Sequence, residues 1–268
     1  MRPLAEIEPL SLGRLKGVLF DIDDTLTSDG RLTAEAYAAM ERLKEAGLLL
    51  APITGRPAGW CDHIARMWPV DAVVGENGAF YFSYDHARRH LTQRFALDES
   101  TRRSNRARLD ALAADIVRQV PGAALASDQP YRVADIAIDY CEDVARLKTE
   151  AVGRIVALME AAGLQAKVSS IHVNGWFGSY DKLTMARRML REVAAIDIET
   201  ERQRFAFLGD SPNDAPMFEF FPLSVGVANV RDFADRLKPP PAFVTEAPSG
   251  RGFAEFARAV LAARSIGA

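Results

Sequence analysis

Val18-Leu19-Phe20-Asp21-Ile22-Asp23-Asp24-Thr25-Leu26 is an apolar run that ends in carboxylates at alternate positions, then a third, then a threonine. A short continuous apolar run suits a strand buried on both faces, as in a parallel sheet. Such a strand delivers Asp21 at its C-terminal end, where open α/β sheets bind their ligands. Asp23 then lies just beyond it, in the first loop. Paired carboxylates there suit phosphoryl transfer: one attacks, the other shuttles a proton, and both help hold a magnesium ion. Asp-rich loops also arise from turn chemistry alone, so the pair needs support from the rest of the chain.

Outward from this stretch, strand and helix signals alternate. Thr33 is placed to cap a helix and Gly47 to stop it, with Ala36, Met40 and Leu43 on one face. Leu48 to Ile53 reads as the next strand, Ala58 to Met67 as a helix, and Ala72-Val73-Val74 as a short strand ending in Gly75-Glu76-Asn77-Gly78. This βαβαβ rhythm predicts a Rossmann-like, doubly wound parallel sheet with helices on both faces.

The rhythm changes near Ala79. Phe80-Tyr81-Phe82 and Leu91 to Phe95 read as adjacent strands. A helix follows, carrying Leu109, Leu112, Ile116 and Val120 on one stripe. Tyr131 to Tyr140 reads as extended, with Ile136 and Ile138 alternating against Asp135, Ala137 and Asp139. A second helix is expected from an Asp143 cap to Gly163. Strands near Ala166-Lys167-Val168 and from Ile171 to Phe177 close this α+β segment. The parallel pattern then resumes with a helix at Lys182, strands at Phe205, Val225 and Phe243, and a closing helix from Gly252 to Ala263. The expectation is an α/β protein with a core at 1–79 and 179–268 and an α+β domain inserted at 80–178. The first dozen residues are expected to form a loose leader.

Composition narrows the function. Of 268 residues, 49% are hydrophobic and 26% charged, as in ordinary globular proteins. A net charge of -3 offers no basic field to recruit nucleic acid. No apolar run is long enough to span a membrane, and the acidic N-terminal stretch lacks a signal core. Two cysteines, Cys61 and Cys141, are too few for a disulfide framework, which favours reduced thiols and a cytoplasmic location. The expected partner is a small-molecule phosphate ester, not nucleic acid or membrane. Oligomeric state is not readable.

Three further segments add to the first. Ile53-Thr54-Gly55-Arg56-Pro57 follows the apolar run Leu48-Leu49-Leu50-Ala51. Lys182 opens an amphipathic helix in Asp181-Lys182-Leu183-Thr184-Met185-Ala186. Gly209-Asp210-Ser211-Pro212-Asn213-Asp214 follows Phe205-Ala206-Phe207-Leu208. In this order, the four segments resemble the haloacid dehalogenase superfamily of magnesium-dependent phosphohydrolases. The long insert before Lys182 is similar to the class IIB cap of its Cof-type and sugar-phosphate phosphatase branch. The resemblance spans nearly the whole chain.

It implies Asp21 as nucleophile, forming an aspartyl-phosphate, and Asp23 as the acid and then the base. It implies magnesium held by the Asp21 side chain, the Asp23 backbone carbonyl and Asp210, with Asp214 in support. Thr54 and Gly55 sit where a helix should begin, so a hydroxyl and free N–H groups there form an anion site. Lys182 adds a positive charge to the phosphate and to the crowded carboxylates, and Asn213 can donate an amide hydrogen bond. The bland alternatives are a plain N-cap for Thr54, a solvated Lys182, and helix capping by Asp210 and Asp214. Many Cof-type members have glycine where this chain has Asp24, to which no catalysis is assigned.

Asn77 and Gly78 match a family element at the mouth of the core, where Asn77 could touch a leaving-group hydroxyl; an Asn-Gly turn is the other reading. Along Ser169 to Phe177, alternation puts Ser170, His172, Asn174 and Trp176 on one side as candidate substrate contacts. Ser169, Ile171, Val173 and Phe177 fall on the other, toward the cap helices. Arg132 is a weaker candidate. His63, His86 and His90 are expected at the surface, and Trp60 and Trp68 as packing residues. The implied activity is hydrolysis of a small phosphorylated metabolite, a sugar phosphate. The alternatives are a hexose phosphomutase on the same fold, a noncatalytic phospho-receiver, and a sugar-binding module.

Overall fold

The computed structural model describes residues 1–266. Its largest sheet runs in the order Arg2–Pro3, Phe243–Val244, Leu223–Gly226, Phe205–Gly209, Gly17–Phe20, Leu49–Pro52. All five pairings are parallel. Successive residues of these strands face opposite sides. Val18, Phe20, Leu50, Ala206 and Leu208 pack with the Ala34–Glu45 and Ser249–Ile266 helices. Leu19, Ala51, Phe205 and Phe207 pack with the Lys182–Ala194 and Ala215–Phe220 helices. Burial on both faces explains the unbroken apolar runs in the sequence. From Gly17–Phe20 the chain winds one way to Leu49–Pro52, and the later strands extend the sheet the other way. Asp21 therefore stands at the switch point, where a crevice opens beyond the strand ends.

A second sheet, Ala124–Leu125, Asp135–Asp139, His172–Trp176, Gln165–Val168, is antiparallel. Ile136, Ile138 and Val173 pack beneath the Glu99–Gln119 and Thr149–Ala161 helices around Leu109, Ile116, Ile155 and Met159. Asp135, Asp139, His172 and Asn174 occupy the other face of these strands, as the alternation requires.

Three expectations change. Phe80–Asp85 and His90–Phe95 are adjacent strands, as read, but they form a separate sheet in which Phe80–Asp85 pairs with Val73–Gly75. Val74 is bridged to Ile53 and Tyr81 lies in a core cluster, so hydrogen bonding puts this hairpin on the core's side. The helix expected from an Asp143 cap begins at Thr149. The Asp139 carboxylate accepts from the N–H groups of Cys141, Glu142 and Asp143, each at 2.8 Å, and folds that stretch into a loop. The expected loose leader is packed. Arg2–Pro3 joins the sheet edge, the Arg2 guanidinium stacks on Phe243, and Leu4, Ile7 and Leu12 are buried in the core.

Candidate active site

The end of the Gly17–Phe20 strand aims Asp21 into the crevice, and the N–H of Ile22 donates to its Oδ1 at 2.9 Å. Lys182, the first residue of its helix, is 3% exposed. Its Nζ stands 3.1 Å from Asp21 Oδ2 and 2.7 Å from Asp214 Oδ1. Burial works against its charge, but Asp21 and Asp214 outweigh that and hold the ammonium protonated. Lys182 is therefore no solvated surface lysine. The other Asp214 oxygen accepts from the N–H groups of Asp210 and Ser211. Both Asp214 oxygens are thus engaged, which suits a supporting role.

Asp210 is fully buried. Thr25 Oγ1 donates to its Oδ1 at 3.0 Å, while Oδ2 has no hydrogen-bond partner. One oxygen each from Asp21, Asp210 and Asp214 lie within 4.8 Å of one another. Burial first, then Asp214 and Asp23, push Asp21 up to about 7 against the pull of Lys182. Burial, Asp214 and Asp21 likewise raise Asp210 well above the usual carboxylate range. An orphaned buried oxygen within an all-oxygen donor set fits a hard divalent cation.

The Asp23 carboxylate stands apart from this cluster. Arg56 grips both its oxygens, with Nε 3.0 Å from each and Nη2 2.8 Å from Oδ1. Arg56 also reaches the second domain, donating Nη2 to Glu142 at 2.6 Å. Its guanidinium stacks on Trp60, 4.3 Å from the ring centroid. Trp60 is 42% exposed, so it is not the packing residue expected; Trp68 does pack against the core. Thr54 is buried and its Oγ1 accepts from the Arg56 N–H at 3.0 Å, leaving the hydroxyl proton free to donate. Ser211 Oγ donates to Asn213 Oδ1 at 2.7 Å, which leaves the Asn213 NH₂ for the cavity.

A narrow cleft brings these groups together with the open face of the second sheet. Asp21, Asp23, Gly55, Arg56 and Asn213 line it from below, and Arg132, Ser170, His172 and Asn174 from above. Ser169 and Ile171 line it too, against expectation. They precede the first paired residue, His172, so strand alternation does not govern them. Trp176 does not reach the cavity. It is 1% exposed, stacks on Tyr180 and packs with Ile22, Phe80 and Ala134 along the seam between the domains.

Asn77 is buried with neither amide atom hydrogen-bonded. A Cβ on Gly55 would sit 3.2 Å from its amide nitrogen and 3.6 Å from Asn174 Oδ1, so both asparagines crowd the Gly55 backbone. Gly78 has a different task from the substrate contact expected. With φ of 106°, it lets the Asp181-Lys182 backbone pass so closely that a Cβ would lie 2.1 Å from Asp181 O. It sets the position of Lys182. Asp24 has φ of 55°, the geometry that favours glycine, and Asn229 Nδ2 holds its carbonyl at 3.0 Å. His63, His86 and His90 are at the surface, as expected.

Sequence reading missed Glu142 and Asp128, which lie in loops with no periodic signal, and did not pair Arg132 with Asp135. Arg56 was visible in its motif but without a partner. Glu76 also went unassigned. It ties the domains together, accepting from the N–H groups of Ala58, Val133, Ala134 and Asp135. Among the described residues, no helix is long and apolar enough to cross a membrane.

Residues 18–103 match the model of a family described as haloacid dehalogenase-like hydrolase. A Thermoplasma acidophilum protein of solved structure is 18% identical, with 92% of this chain and 98% of that one covered at a TM-score of 0.68. The C-terminal domain of trehalose-6-phosphate phosphatase from C. albicans is 14% identical, over 97% and 98% of the two chains, with a TM-score of 0.70. A sugar phosphatase of subclass IIB of the haloacid dehalogenase superfamily is 15% identical, over 94% and 99%, at 0.61. No curated protein matches the chain. The chain has the haloacid dehalogenase-like fold of core and cap, and the matched family segment contains the Asp21 and Thr54 motifs.

Proposed function

We propose that the protein is a magnesium-dependent phosphatase that hydrolyses a small phosphorylated metabolite, a sugar phosphate, through an aspartyl-phosphate on Asp21. The observation that carries this reading is Asp21 held by Lys182 beside the orphaned oxygen of Asp210, under a small polar cavity. Asp21 attacks phosphorus and the bond to the leaving oxygen breaks. Asp23 gives that oxygen a proton, then takes one from the water that hydrolyses the aspartyl-phosphate. Lys182, the Thr54 hydroxyl and the Asn213 amide bind the oxygens of the transferring phosphoryl group. Arg56 orients Asp23. Magnesium, held by Asp21 and Asp210 with Asp214 behind them, would neutralise charge on the phosphoryl group.

The family match and the sugar phosphatase among the structural neighbours support the same class of reaction. Both cysteines are free, which agrees with a reducing, cytoplasmic setting. A screen of phosphorylated metabolites for phosphate release, with magnesium and after chelation, tests the proposal. Release that needs magnesium is the expected result. Isomerised product without free phosphate, or full activity after exhaustive chelation, would overturn it.

A further inference from the structure

The leaving-group end of the cavity contains two arginines, and neither has a charge to spare. Arg56 is bound by Asp23 and by Glu142, with Asp128 Oδ2 a further 3.4 Å from Nη1. Arg132 donates Nε and Nη2 to the two oxygens of Asp128 at 3.0 and 3.1 Å, and Nη1 to both oxygens of Asp135 at 3.1 Å. The same Nη1 donates to the Gly55 carbonyl at 2.9 Å. His172 Nε2 lies 2.9 Å from Glu142 Oε2. Four carboxylates thus surround two guanidiniums. Ser170 and Asn174 line that end with neutral polar groups, and the Asn77 amide, packed behind Gly55, has no hydrogen-bond partner. A substrate hydroxyl matches neutral groups of this kind. A second anionic group on the substrate would have to displace a carboxylate from an arginine or be buried without a partner, and both are costly.

We propose that this cavity selects phosphate monoesters whose leaving group is an uncharged polyol and rejects those with a second anionic group, and that Glu142 enforces the choice by occupying Arg56. The inference rests on the phosphatase reading and adds a charge rule to it. Glu142 is held in place for this task. It follows the Asp139 carboxylate, which gathers the N–H groups of Cys141, Glu142 and Asp143 and so presents the Glu142 side chain to Arg56 from the cap. Asp23 must remain in the site for proton transfer, and Asp128 is shared with Arg132. Glu142 is therefore the acid whose removal would release a guanidinium toward the substrate.

The test is kcat/KM of the full chain, with magnesium, on two matched pairs: glucose 6-phosphate against 6-phosphogluconate, and glycerol 3-phosphate against 3-phosphoglycerate. Wild type should favour the uncharged member of each pair by at least about tenfold. Glu142→Gln keeps the side-chain volume but lacks the charge. It should narrow the preference about tenfold, chiefly by gaining on the anionic member, which a merely structural loss does not produce. Equal use of both members by wild type, or an equal proportional loss on both in the variant, would overturn the charge rule. If wild type releases phosphate from none of the four, the phosphatase reading is decided by the wider metabolite screen. Calorimetric binding of the same esters then decides the charge rule by itself: tighter binding of the uncharged members supports it, and equal binding overturns it.

Discussion

Lys182→Met is the most informative single change to the charge balance of the core. Lys182 is the only cation in contact with Asp21 and Asp214 among the described residues, and all three are buried. Methionine replaces most of the stem, so little packing is lost. What remains is three carboxylates with oxygens within 4.8 Å and no counter-charge. Removing one partner of a buried pair costs about 3–5 kcal/mol. Asp21 could escape part of that cost by taking a proton, since it is pushed up to about 7. The measurement therefore belongs at pH 8, in chelator, by urea denaturation followed by circular dichroism. Asp214→Asn in the same chain removes one stranded charge and should recover about 1–3 kcal/mol as coupling between the sites. Magnesium should raise the stability of Lys182→Met by mass action, supplying the missing charge. A loss below about 1 kcal/mol, or a double variant equal to the sum of the singles, would refute the reasoning.

Asp23→Asn should lose far more activity on alkyl phosphates than on aryl phosphates, whose good leaving groups need little protonation; equal losses in kcat would count against the acid role. Gly78→Ala should destabilise the protein by a few kcal/mol, roughly, because φ is 106° and the new Cβ would meet Asp181 O; an unchanged urea midpoint would mean the backbone there yields freely. Burial pushes the Glu142 carboxyl up, but the His172 ring beside it and hydrogen bonds from Arg56 outweigh that and hold it at about 2. The folded value lies below the ordinary 4.5, so its stabilisation is complete above pH 4.5 and is lost as pH falls toward 2. The group is partly exposed and screened, so the effect is about 1–2 kcal/mol. Glu142→Gln should flatten that part of the acid limb of stability against pH, and an unaltered slope would contradict the ion pair.

What the sequence made legible follows its periodicities. The parallel core was readable because strands buried on both faces are continuous apolar runs, and Asp21, Thr54 and Asp210 each follow one directly. Asp135 and Asp139 were readable as one face of a strand. The hairpin at Phe80 to Phe95 was misplaced because a strand pattern does not name its partner. The Asp143 helix start was wrong because Asp139, four residues earlier, competes for the backbone N–H groups of that stretch. Trp60 looked like packing because local sequence does not reveal that Arg56 lies beneath its ring. Glu142 was invisible for the same reason: its importance comes from a core arginine 86 positions away in sequence. The packed N-terminus depended on a partner strand at the far end of the chain.

The central claim is that Asp21 is the nucleophile. Steady-state turnover of Asp21→Asn with magnesium, on the best metabolite from the screen, tests it most directly, with circular dichroism to verify the fold. The buried site is shaped by backbone N–H groups and neighbouring side chains, so the amide should fit and the fold should survive. The account predicts turnover reduced by at least about 10³-fold, because a neutral amide is a poor nucleophile and a weaker cation ligand. A folded Asp21→Asn protein retaining turnover within about tenfold of wild type would contradict it.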